Sequence, residues 1–333
     1  MKKIRVAIIG VRGIGRRHAR AVLAGGGRIT ACAARTRESA ERFAEEFNVP
    51  RATTNALSLA RAGDVDAAVI CTPNKYHAPY ALAFMEAGKD VLLEKPMAMN
   101  AREAARVAAA ARRRKRVVLV GHMWRFADEV NWARGVVSSG AVGRVVRTAG
   151  YGVHAGWGPA GWFTQKRLAG GGALADMGIH AIDTARFILA DPLPRRVYAA
   201  VGTHYGDYDV DDTGVVMITW DGGATSVIES GWRHPHADRP YAGTQVYGDQ
   251  GYVAIFPPEA RLSVSGHPGI HLPSPETTRD RDRQQIYGRQ MEHFLACVRS
   301  RREPTPGTRE GLVNMRIVDA AYRSSRTGRA VRL

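Results

Sequence analysis

An acid and a histidine follow a glycine run in the segment GGGALADMGIH, which spans Gly170 to His180. Asp176 and His180 are four residues apart, and in a helix this spacing places both side chains on one face, one turn apart. An imidazole titrates near neutral pH, so such a pair is suited to taking up or releasing a proton. The glycines predict a flexible linker that allows a close approach to a cleft. Taken alone, the segment fits a surface helix with a weak Asp–His pair equally well.

A second chemically informative stretch is GVRGIG, which follows a short apolar run. Dinucleotide-binding turns place glycines at the first, third and sixth positions of such a stretch, between a strand and a helix. Gly10 and Gly15 fit the first and last positions, whereas Arg12 occupies the middle one, with Gly13 beside it. The arginine weakens the match, although a guanidinium can fold over phosphates. The N-terminal amides of the following helix, which begins near Ile14, can also bind an anion.

The end of the second predicted strand bears on the choice of nicotinamide cofactor. About 20 residues beyond such a glycine turn, an acid normally binds the ribose hydroxyls of NAD. This sequence has no acid there and instead reads Ala34, Arg35, Thr36 and Arg37. An arginine and a hydroxyl suit a 2′-phosphate, so the stretch predicts NADP in preference to NAD. Thr36 is equally suited to capping the next helix.

These motifs need a scaffold, and the first third of the chain alternates apolar runs with helical patterns. The apolar runs are continuous, which is typical of parallel strands that are covered on both faces. The pattern predicts a Rossmann domain over residues 1–122. Five strands are predicted in IRVAIIG, RITACAA, VDAAVICT, DVLLEKP and VVLVG, and helices in IGRRHARAVLA, RESAERFAEEF, KYHAPYALAFMEAG and NAREAARVAAAARRR.

The pattern changes in residues 123–333, where longer runs alternate apolar and polar residues, as in DDTGVVMITWDGGATSVIES. The DGGA stretch predicts a hairpin turn between two strands. IYGRQMEHFLACVRS and GTREGLVNMRIVDAAYRSSRTG predict closing helices, after a polar stretch at 273–285 that predicts a mobile loop. The predicted class is therefore α/β, with an N-terminal Rossmann parallel sheet and a C-terminal α+β domain built on a large, mostly antiparallel open sheet.

Three motifs together resemble the Gfo/Idh/MocA oxidoreductases, a family that includes glucose–fructose oxidoreductase and inositol dehydrogenase. They are CTPNKYH (71–77), EKPMAMN (94–100) and GGGALADMGIHAID (170–183), and they occur in the family's order along nearly the whole chain. The resemblance implies a Rossmann domain and an open-sheet domain with the substrate between them. It also implies an NAD(P)-linked oxidation or reduction at a hydroxyl or carbonyl carbon of a sugar or polyol.

The resemblance implies three catalytic side chains: Lys95 of the Glu-Lys-Pro turn, and Asp176 and His180 of the Asp-x-x-x-His helix. Oxidation of a carbinol leaves a proton, which His180 can take. Lys95 can bind the same oxygen and stabilise its developing negative charge, and Asp176 can bind a second hydroxyl. No metal is expected, because the nicotinamide carries the redox chemistry. The peptide bond between Lys95 and Pro96 is a candidate for the cis form.

The same resemblance places the turn that follows the third predicted strand along the cofactor, with a histidine just beyond it. Together with the glycine turn and the end of the second strand, it completes the predicted cofactor site. That site consists of Gly10, Arg12, Gly13, Ile14, Gly15, Ala34, Arg35, Thr36, Cys71, Thr72, Pro73, Asn74, His77, Glu94 and Lys95.

Further side chains are candidates for the substrate pocket, because aromatic rings beside polar groups suit the faces and hydroxyls of sugars. The same residue types also suit a hydrophobic core or a subunit contact. Asp183 is placed to orient His180, while His234 and His236 lack the nearby acids that would complete a metal site. The predicted substrate residues are Lys95, Trp124, Arg125, His154, Trp162, Asp176, His180 and Tyr287, with Trp157 and Phe163 as further aromatic candidates.

Composition narrows the remaining classes of function. The 333-residue chain has a formal net charge of +17, but its basic residues are scattered apart from RRRKR at 112–116, which suits the C-terminus of a helix. Three widely spaced cysteines disfavour a disulfide framework or a zinc site. No apolar run reaches membrane-spanning length or resembles a signal peptide. We expect a cytoplasmic protein that binds neither nucleic acid nor membrane.

Other functions stay open at this point. They are a reductase of an anhydro-sugar or dicarbonyl substrate, a glucose–fructose-type oxidoreductase that retains its cofactor, and a cofactor-sensing binding protein. Lys95, Asp176 and His180 together disfavour the sensor, because a sensor needs none of them. An open sheet needs covering, and together with the resemblance this predicts a homodimer or homotetramer.

Overall fold

A computed structural model describes residues 3–154, 159–232, 242–264, 267–273 and 283–333 of the chain. The chain divides into two compact units. The first comprises Met1–Met123 and Arg283–Leu312, and the second comprises Trp124–Asp282 and Val313–Leu333. The predicted domains, 1–122 and 123–333, remain a prediction, and the units differ from them in grouping Arg283–Leu312 with the first.

The first unit is built on a parallel sheet of six strands in the order β3-β2-β1-β4-β5-β6. The order reverses between β1 and β4, and their carboxyl ends form the crevice where such folds bind nucleotides. The predicted parallel sheet is confirmed, with one additional short strand, β3. The strands are β1 Arg5–Ile9, β2 Arg28–Ala33, β3 Ala52–Thr53, β4 Ala67–Ile70, β5 Asp90–Leu93 and β6 Val118–Val120.

Helices flank this sheet, and their ends follow from local sequence. Asn100 caps its helix by accepting a hydrogen bond of 3.0 Å from the backbone N–H of Glu103, as the predicted capping pattern requires. Asn48, in the left-handed conformation, ends the second helix. The helices are α1 Ile14–Ala24, α2 Arg37–Phe47, α3 Ala56–Ala60, α4 His77–Glu86 and α5 Ala101–Arg114, and the later helix α9, Arg283–Ser300, packs on α1.

Nine strands of the second unit form one sheet among the described residues, in the order β14-β13-β12-β11-β7-β10-β9-β8-β15. Every neighbouring pair is antiparallel except β7 and β10, which confirms the mostly antiparallel prediction. The strands are β7 Val145–Val153, β8 Pro194–Gly202, β9 Thr213–Trp220, β10 Thr225–Gly231, β11 Ala242–Gly248, β12 Gly251–Ile255, β13 Glu259–Val264, β14 His267–His271 and β15 Val331–Arg332.

The DGGA stretch forms the predicted hairpin between β9 and β10, with Gly223 at a φ of 86°, a conformation that favours glycine. Helix α8 packs on β7, β10 and β11, while large apolar side chains on several strands of the sheet, including Tyr198, Met217 and Val227, remain exposed. No helix among the described residues is long and apolar enough to cross a membrane. The remaining helices are α6 Asp128–Ser138, α7 Lys166–Ala169, α8 Ile179–Ile188 and α10 Thr308–Thr327.

Candidate active site

The glycine turn after β1 is shaped by close backbone contacts. Gly10 has a φ of 94°, and a Cβ there would lie 2.5 Å from the carbonyl oxygen of Cys71. A Cβ on Gly15 would lie 2.0 Å from the carbonyl oxygen of Gly10. Only glycine fits at these two positions, whereas Gly13 faces open space and Arg12 is exposed beside it. The turn therefore retains the two glycines that its packing requires, and Arg12 occupies the open side.

The turn after β4 forms the other wall of this crevice. Thr72 follows Cys71 directly, and its Oγ1 is buried without a hydrogen-bond partner in the structure. A buried polar atom without a partner is costly, so this hydroxyl fits a site that a polar ligand completes. Together with the glycine turn and the N-terminus of α1, it matches what a dinucleotide requires at the switch point of the sheet. The residues present therefore fit a nicotinamide dinucleotide.

At the end of β2, the contacts of Thr36 bear on whether it caps the next helix or binds a 2′-phosphate. Its Oγ1 accepts a hydrogen bond of 3.3 Å from the backbone N–H of Ser39 and donates one of 2.8 Å to the Ser39 hydroxyl. Thr36 therefore caps α2. Arg35 is exposed at the end of the strand, next to the half-buried Ala34. Of the two residues predicted to bind a 2′-phosphate, the contacts favour Arg35.

The Glu-Lys-Pro turn follows β5 at the same carboxyl edge, and its Lys95–Pro96 peptide bond is cis. The Glu94 carboxylate is buried, and its Oε1 lies 2.7 Å from Nε2 of His18 on α1. Its Oε2 accepts a hydrogen bond of 3.1 Å from the backbone N–H of Lys95. Burial alone would raise the pKa of Glu94, but the His18 hydrogen bond and the nearby Lys95 charge outweigh it and lower the pKa overall. A carboxylate is thereby fixed beneath the lysine.

A second histidine contacts the other side of this turn. His77 is fully buried, with Nδ1 2.7 Å from the carbonyl oxygen of Pro96 and Nε2 2.8 Å from that of Thr72. Burial lowers the pKa of His77, and the two carbonyl oxygens oppose that shift without reversing it. His77 therefore joins the turn after β4 to the turn after β5. Its contacts favour a role in holding these turns.

Tyr287, predicted as a substrate residue, lies on α9 in the first unit. Its ring packs edge-on against the His18 ring, with the two centroids 5.1 Å apart, and Arg17 lies over its face. Burial raises its pKa, and the Glu94 charge adds to the effect. Tyr287 thus covers the buried His18–Glu94 pair.

Two of the three glycines before Asp176, Gly171 and Gly172, serve close packing in the second unit. A Cβ on Gly172 would lie 1.8 Å from the carbonyl oxygen of Asp211, and a Cβ on Gly171 would lie 2.1 Å from the Tyr322 hydroxyl. The buried Asp211 carboxylate accepts hydrogen bonds of 2.8 Å from the N–H groups of Gly172 and Leu174 and one of 2.7 Å from Tyr322. The expectation of a flexible linker is therefore wrong, because the run is pinned by a buried acid.

The helix that carries Asp176 begins as a π-helix, over Leu174–Gly178, before α8 continues as an α-helix. The prediction of a regular α-helix with a one-turn offset is corrected here, since a π-turn contains more residues per turn. Asp176 Oδ2 accepts a hydrogen bond of 3.1 Å from Nε1 of the buried Trp232. His180 is half-buried in the first turn of α8. Wide π-turns of this kind frequently occur at functional sites.

Arg125 has a different environment from the substrate contact that was predicted for it. It is buried, and its guanidinium donates hydrogen bonds of 2.6–2.9 Å to the carboxylates of Asp183 and Asp191. Asp183 also accepts a hydrogen bond of 2.7 Å from Asn314. The ion pairs raise the pKa of Arg125 against the opposing effect of burial. These contacts favour a structural role, and the predicted action of Asp183 on His180 stays a prediction.

The other predicted substrate residues are distributed over the second unit. Trp162 stacks on Phe163 with ring centroids 3.8 Å apart, and Trp124 packs on Phe256 at 5.0 Å. The backbone N–H of His154 donates to Gly231 at the end of β10. Trp157, His234 and His236 lie outside the described residues, within which no group of three or more His, Cys, Asp or Glu could hold a metal ion.

Sequence reasoning missed His18, Asp211 and Trp232. His18 lies on the buried face of α1, where a histidine among apolar residues is the available signal. Asp211 is the first of two adjacent acids in front of β9, both buried. Trp232 directly follows β10, and nothing in its spacing from Asp176 indicates the contact.

Comparison with known proteins bears on this arrangement of fold and site. Residues 4–122 match the family described as the oxidoreductase family with an NAD-binding Rossmann fold. Residues 130–254 match the GFO/IDH/MocA C-terminal domain. The two matches follow each other along the chain in the order that the motifs predict.

Characterised relatives extend over most of the chain. D-glucoside 3-dehydrogenase of Escherichia coli (strain K12) is 26% identical over 310 residues, 88% of this chain and 87% of that protein. D-xylose 1-dehydrogenase (NADP(+)) 2 of Haloferax volcanii is 29% identical over 331 residues, 98% of each chain. The structure of aldose-aldose oxidoreductase from Caulobacter crescentus, complexed with glycerol, superposes with a TM-score of 0.86 at 27% identity and covers 100% of both chains.

The Rossmann unit, whose glycine turn keeps Gly10 and Gly15, and the two family matches together define a nicotinamide-dependent oxidoreductase. The chain belongs to the Gfo/Idh/MocA family. The predicted family, enzyme class and use of NAD or NADP are thereby confirmed, and the non-catalytic sensor is disfavoured.

Proposed function

We propose that this protein oxidises a hydroxyl group of a sugar or cyclic polyol, or reduces the corresponding carbonyl. The observation that carries the proposal is the position of Lys95. Its turn follows β5, at the sheet edge where the glycine turn follows β1 and the Thr72 turn follows β4. An ammonium group at the dinucleotide-binding edge suits the oxygen of a carbinol undergoing oxidation. Relatives named for glucoside, xylose and inositol substrates support the substrate class.

When bound, the nicotinamide accepts or supplies the hydride. Lys95 donates a hydrogen bond to the reacting oxygen and stabilises its negative charge. His180 takes the hydroxyl proton during oxidation and returns it during reduction. Asp176, whose carboxylate is oriented by the Trp232 indole N–H, accepts a hydrogen bond from a second hydroxyl. Sugars and cyclic polyols carry the neighbouring hydroxyls that these roles require.

We propose NADP as the preferred cofactor. No acid occupies the end of β2, and Arg35 is exposed there, where a guanidinium can pair with a 2′-phosphate. The relatives include both an NADP-dependent xylose dehydrogenase and an NAD-dependent scyllo-inositol dehydrogenase. The family as a whole does not set the choice between NADP and NAD, so the proposed preference for NADP rests on Arg35 and on the lack of an acid at the end of β2.

We also propose that the protein is a homodimer or homotetramer in the cytoplasm. Tyr198 on β8, Met217 on β9 and Val227 on β10 are neighbours in register, and each is at least 40% exposed. A continuous apolar row on an open sheet is typical of a subunit interface. The three free cysteines support a reducing compartment. Analytical ultracentrifugation tests the assembly, and a monomer at micromolar concentration would contradict it.

The activity is tested by screening a panel of aldoses, glycosides and inositols with NADP⁺ and NAD⁺. Absorbance of the reduced nicotinamide reports turnover, and a matching panel of ketoses and inosose ketones tests the reverse direction. We expect turnover of at least one sugar or inositol. If the protein binds NADPH by fluorescence titration but turns over no member of either panel, the proposal is wrong.

A further inference from the structure

We propose that His18 is a positioning residue for Lys95, which it holds in place through the Glu94 carboxylate. His18 makes no contact with the reacting atoms. It acts by fixing the Glu94 carboxylate, which accepts the backbone N–H of Lys95. The inference rests on the proposed function, because it takes Lys95 as the group that binds the reacting oxygen. It assigns a role to a histidine that lies outside the predicted catalytic and cofactor residues.

The geometry forms a direct chain of contacts within the first unit. His18 is fully buried on α1, and its Nε2 lies 2.7 Å from Glu94 Oε1. The other carboxylate oxygen, Oε2, accepts the backbone N–H of Lys95 at 3.1 Å. One carboxylate thus bridges a helix and the first peptide unit of the cis-proline turn. Moving or protonating that carboxylate changes the hydrogen bond that it accepts from the backbone N–H of Lys95.

The surroundings of Glu94 are shaped to receive this carboxylate. A Cβ on Gly121, just after β6, would lie 2.9 Å from the Glu94 carboxyl carbon. A larger residue at this position would have to displace the carboxylate. Tyr287 closes the pair from α9, edge-on to the His18 ring. A buried carboxylate destabilises a fold unless its partners are supplied, and an apolar pair of similar volume would be at least as stable. The presence of this pair is therefore better explained by placement of the turn than by stability.

The position of His18 on α1 also relates the lysine turn to the nucleotide site. Helix α1 begins at Ile14, directly after the glycine turn, and His18 is four residues further along. The helix that offers its N-terminal amides to a phosphate therefore also carries the side chain that holds Glu94. A shift of α1 would therefore move Lys95 through the hydrogen-bonded pair of His18 and Glu94.

Three variants separate positioning from packing. His18→Ala removes the partner of Glu94, and we expect kcat to fall about 100-fold, the loss typical of a misplaced catalytic group. His18→Gln supplies an amide donor near the position of Nε2, and we expect it to restore at least about tenfold of that loss. Val22→Ala is the matched control, because Val22 is equally buried one turn along α1. We expect the control to lower Tm and leave kcat within about twofold.

Two further readouts complete the test. The Kd for NADPH, from fluorescence titration, should change less than about threefold in His18→Ala, because the glycine turn and the amides of α1 remain intact. The rate of Lys95 acetylation by acetic anhydride, followed by mass spectrometry, should change in His18→Ala and in Glu94→Gln and stay the same in Val22→Ala. Glu94→Gln keeps the shape of the side chain and removes its charge. It therefore provides the acetylation test if His18→Ala does not fold.

The acetylation rate needs no substrate, so it tests the positioning role even if no sugar is oxidised and the proposed function fails. The inference is overturned if His18→Ala and Glu94→Gln both acetylate Lys95 at the wild-type rate. It is also overturned if His18→Ala loses kcat only as much as Val22→Ala does at matched loss of Tm.

Discussion

Gly172 and Asp211 are in direct contact: the Gly172 N–H donates to the Asp211 side-chain carboxylate at 2.8 Å, and a Gly172 Cβ would lie 1.8 Å from the Asp211 carbonyl oxygen. Asp211 also accepts the N–H of Leu174, at the start of the π-helix that carries Asp176. The contact therefore sets where this helix begins. The glycine run before the proposed catalytic helix leaves space for the buried Asp211 carboxylate.

Gly172→Ala is expected to destabilise the protein by about 2–3 kcal/mol, because the new methyl group forces the π-helix away from Asp211. Urea denaturation measures the change. Gly222→Ala is the matched control, since a Cβ there meets nothing within 4 Å, and it should change the stability by less than about 0.5 kcal/mol. Equal stability of the two variants would show that the Gly172 contact is not tight.

Lys95→Ala and His180→Ala are each expected to lower kcat/KM for a sugar substrate by about 10²–10⁴-fold, the range for loss of a proton-transferring or charge-stabilising group. Steady-state kinetics with the best substrate of the screen measures the loss. His204→Ala is the control, because His204 is exposed in the second unit. Near-normal turnover by both Lys95→Ala and His180→Ala would refute the catalytic assignment.

Arg35→Ala is expected to weaken NADPH binding about tenfold, because one charge-assisted contact to the 2′-phosphate is lost. Binding of NADH should change little, since that cofactor lacks the phosphate. Fluorescence titration of both cofactors measures the ratio of the two Kd values. Arg28→Ala removes an exposed arginine from the opposite end of β2, and its ratio should equal the wild-type ratio. Tighter binding of NADH than NADPH by the wild type would reject the NADP preference.

His77 predicts a pH dependence of stability. Burial lowers its pKa, so the folded chain binds this proton more weakly than the unfolded chain does. Unfolding therefore takes up a proton, and the free energy of unfolding decreases as the pH falls from about 7 through the unfolded-state value of about 6.5 toward the lower folded-state value. The contribution is fully present above the unfolded-state pKa.

His77→Gln should make the free energy of unfolding fall less steeply between about pH 7 and pH 5, because the titrating group is gone. Denaturation at a series of pH values measures this slope. Burial also lowers the pKa of the half-buried His293, so His293→Gln shows how much of the slope comes from another site. An unchanged slope in His77→Gln would mean that His77 does not titrate differently in the two states.

Arg125→Leu is expected to destabilise the protein by about 3–5 kcal/mol, because the buried Asp183 carboxylate and the half-buried Asp191 carboxylate lose the guanidinium that pairs with both. The substrate KM of the folded fraction should stay at the wild-type value. Thermal denaturation and substrate kinetics together measure both effects. Arg144→Leu is the control, since the Arg144 side chain is 83% exposed. It should change the free energy of unfolding by less than about 1 kcal/mol. A large rise in KM for Arg125→Leu would restore its predicted role as a substrate contact.

The Rossmann unit was readable from sequence because its signals are local. Continuous apolar runs that alternate with amphipathic segments predict a parallel sheet, and β1, α1, β2 and α2 occur where these patterns place them. The two-residue strand β3 and the short α3 were missed, since neither is long enough to show a period. The position of Lys95 after β5 was predictable in the same way, because it is adjacent to its strand in sequence.

Contacts between distant segments were not readable. Asp176 and Trp232 are 56 residues apart, His18 and Glu94 are 76 apart, and Gly172 and Asp211 are 39 apart. No periodicity or spacing rule relates residues at such separations. The partners of Arg125 were equally unpredictable, because Asp183 and Asp191 are 58 and 66 residues away. The sequence showed only an arginine near the domain junction, which suggested a contact with the substrate.

By itself, the sequence determined the class of this protein, the order of its strands and helices in the first unit, and the types of side chain available for chemistry. Period, capping and turn residues are short-range properties, and each is set by a few consecutive residues. Only the tertiary structure decided which acids pair with which donors, why the glycines precede Asp176 and which histidine holds Glu94. Those outcomes depend on packing between segments far apart in the chain, where a single Cβ or an unpaired charge determines what can be adjacent.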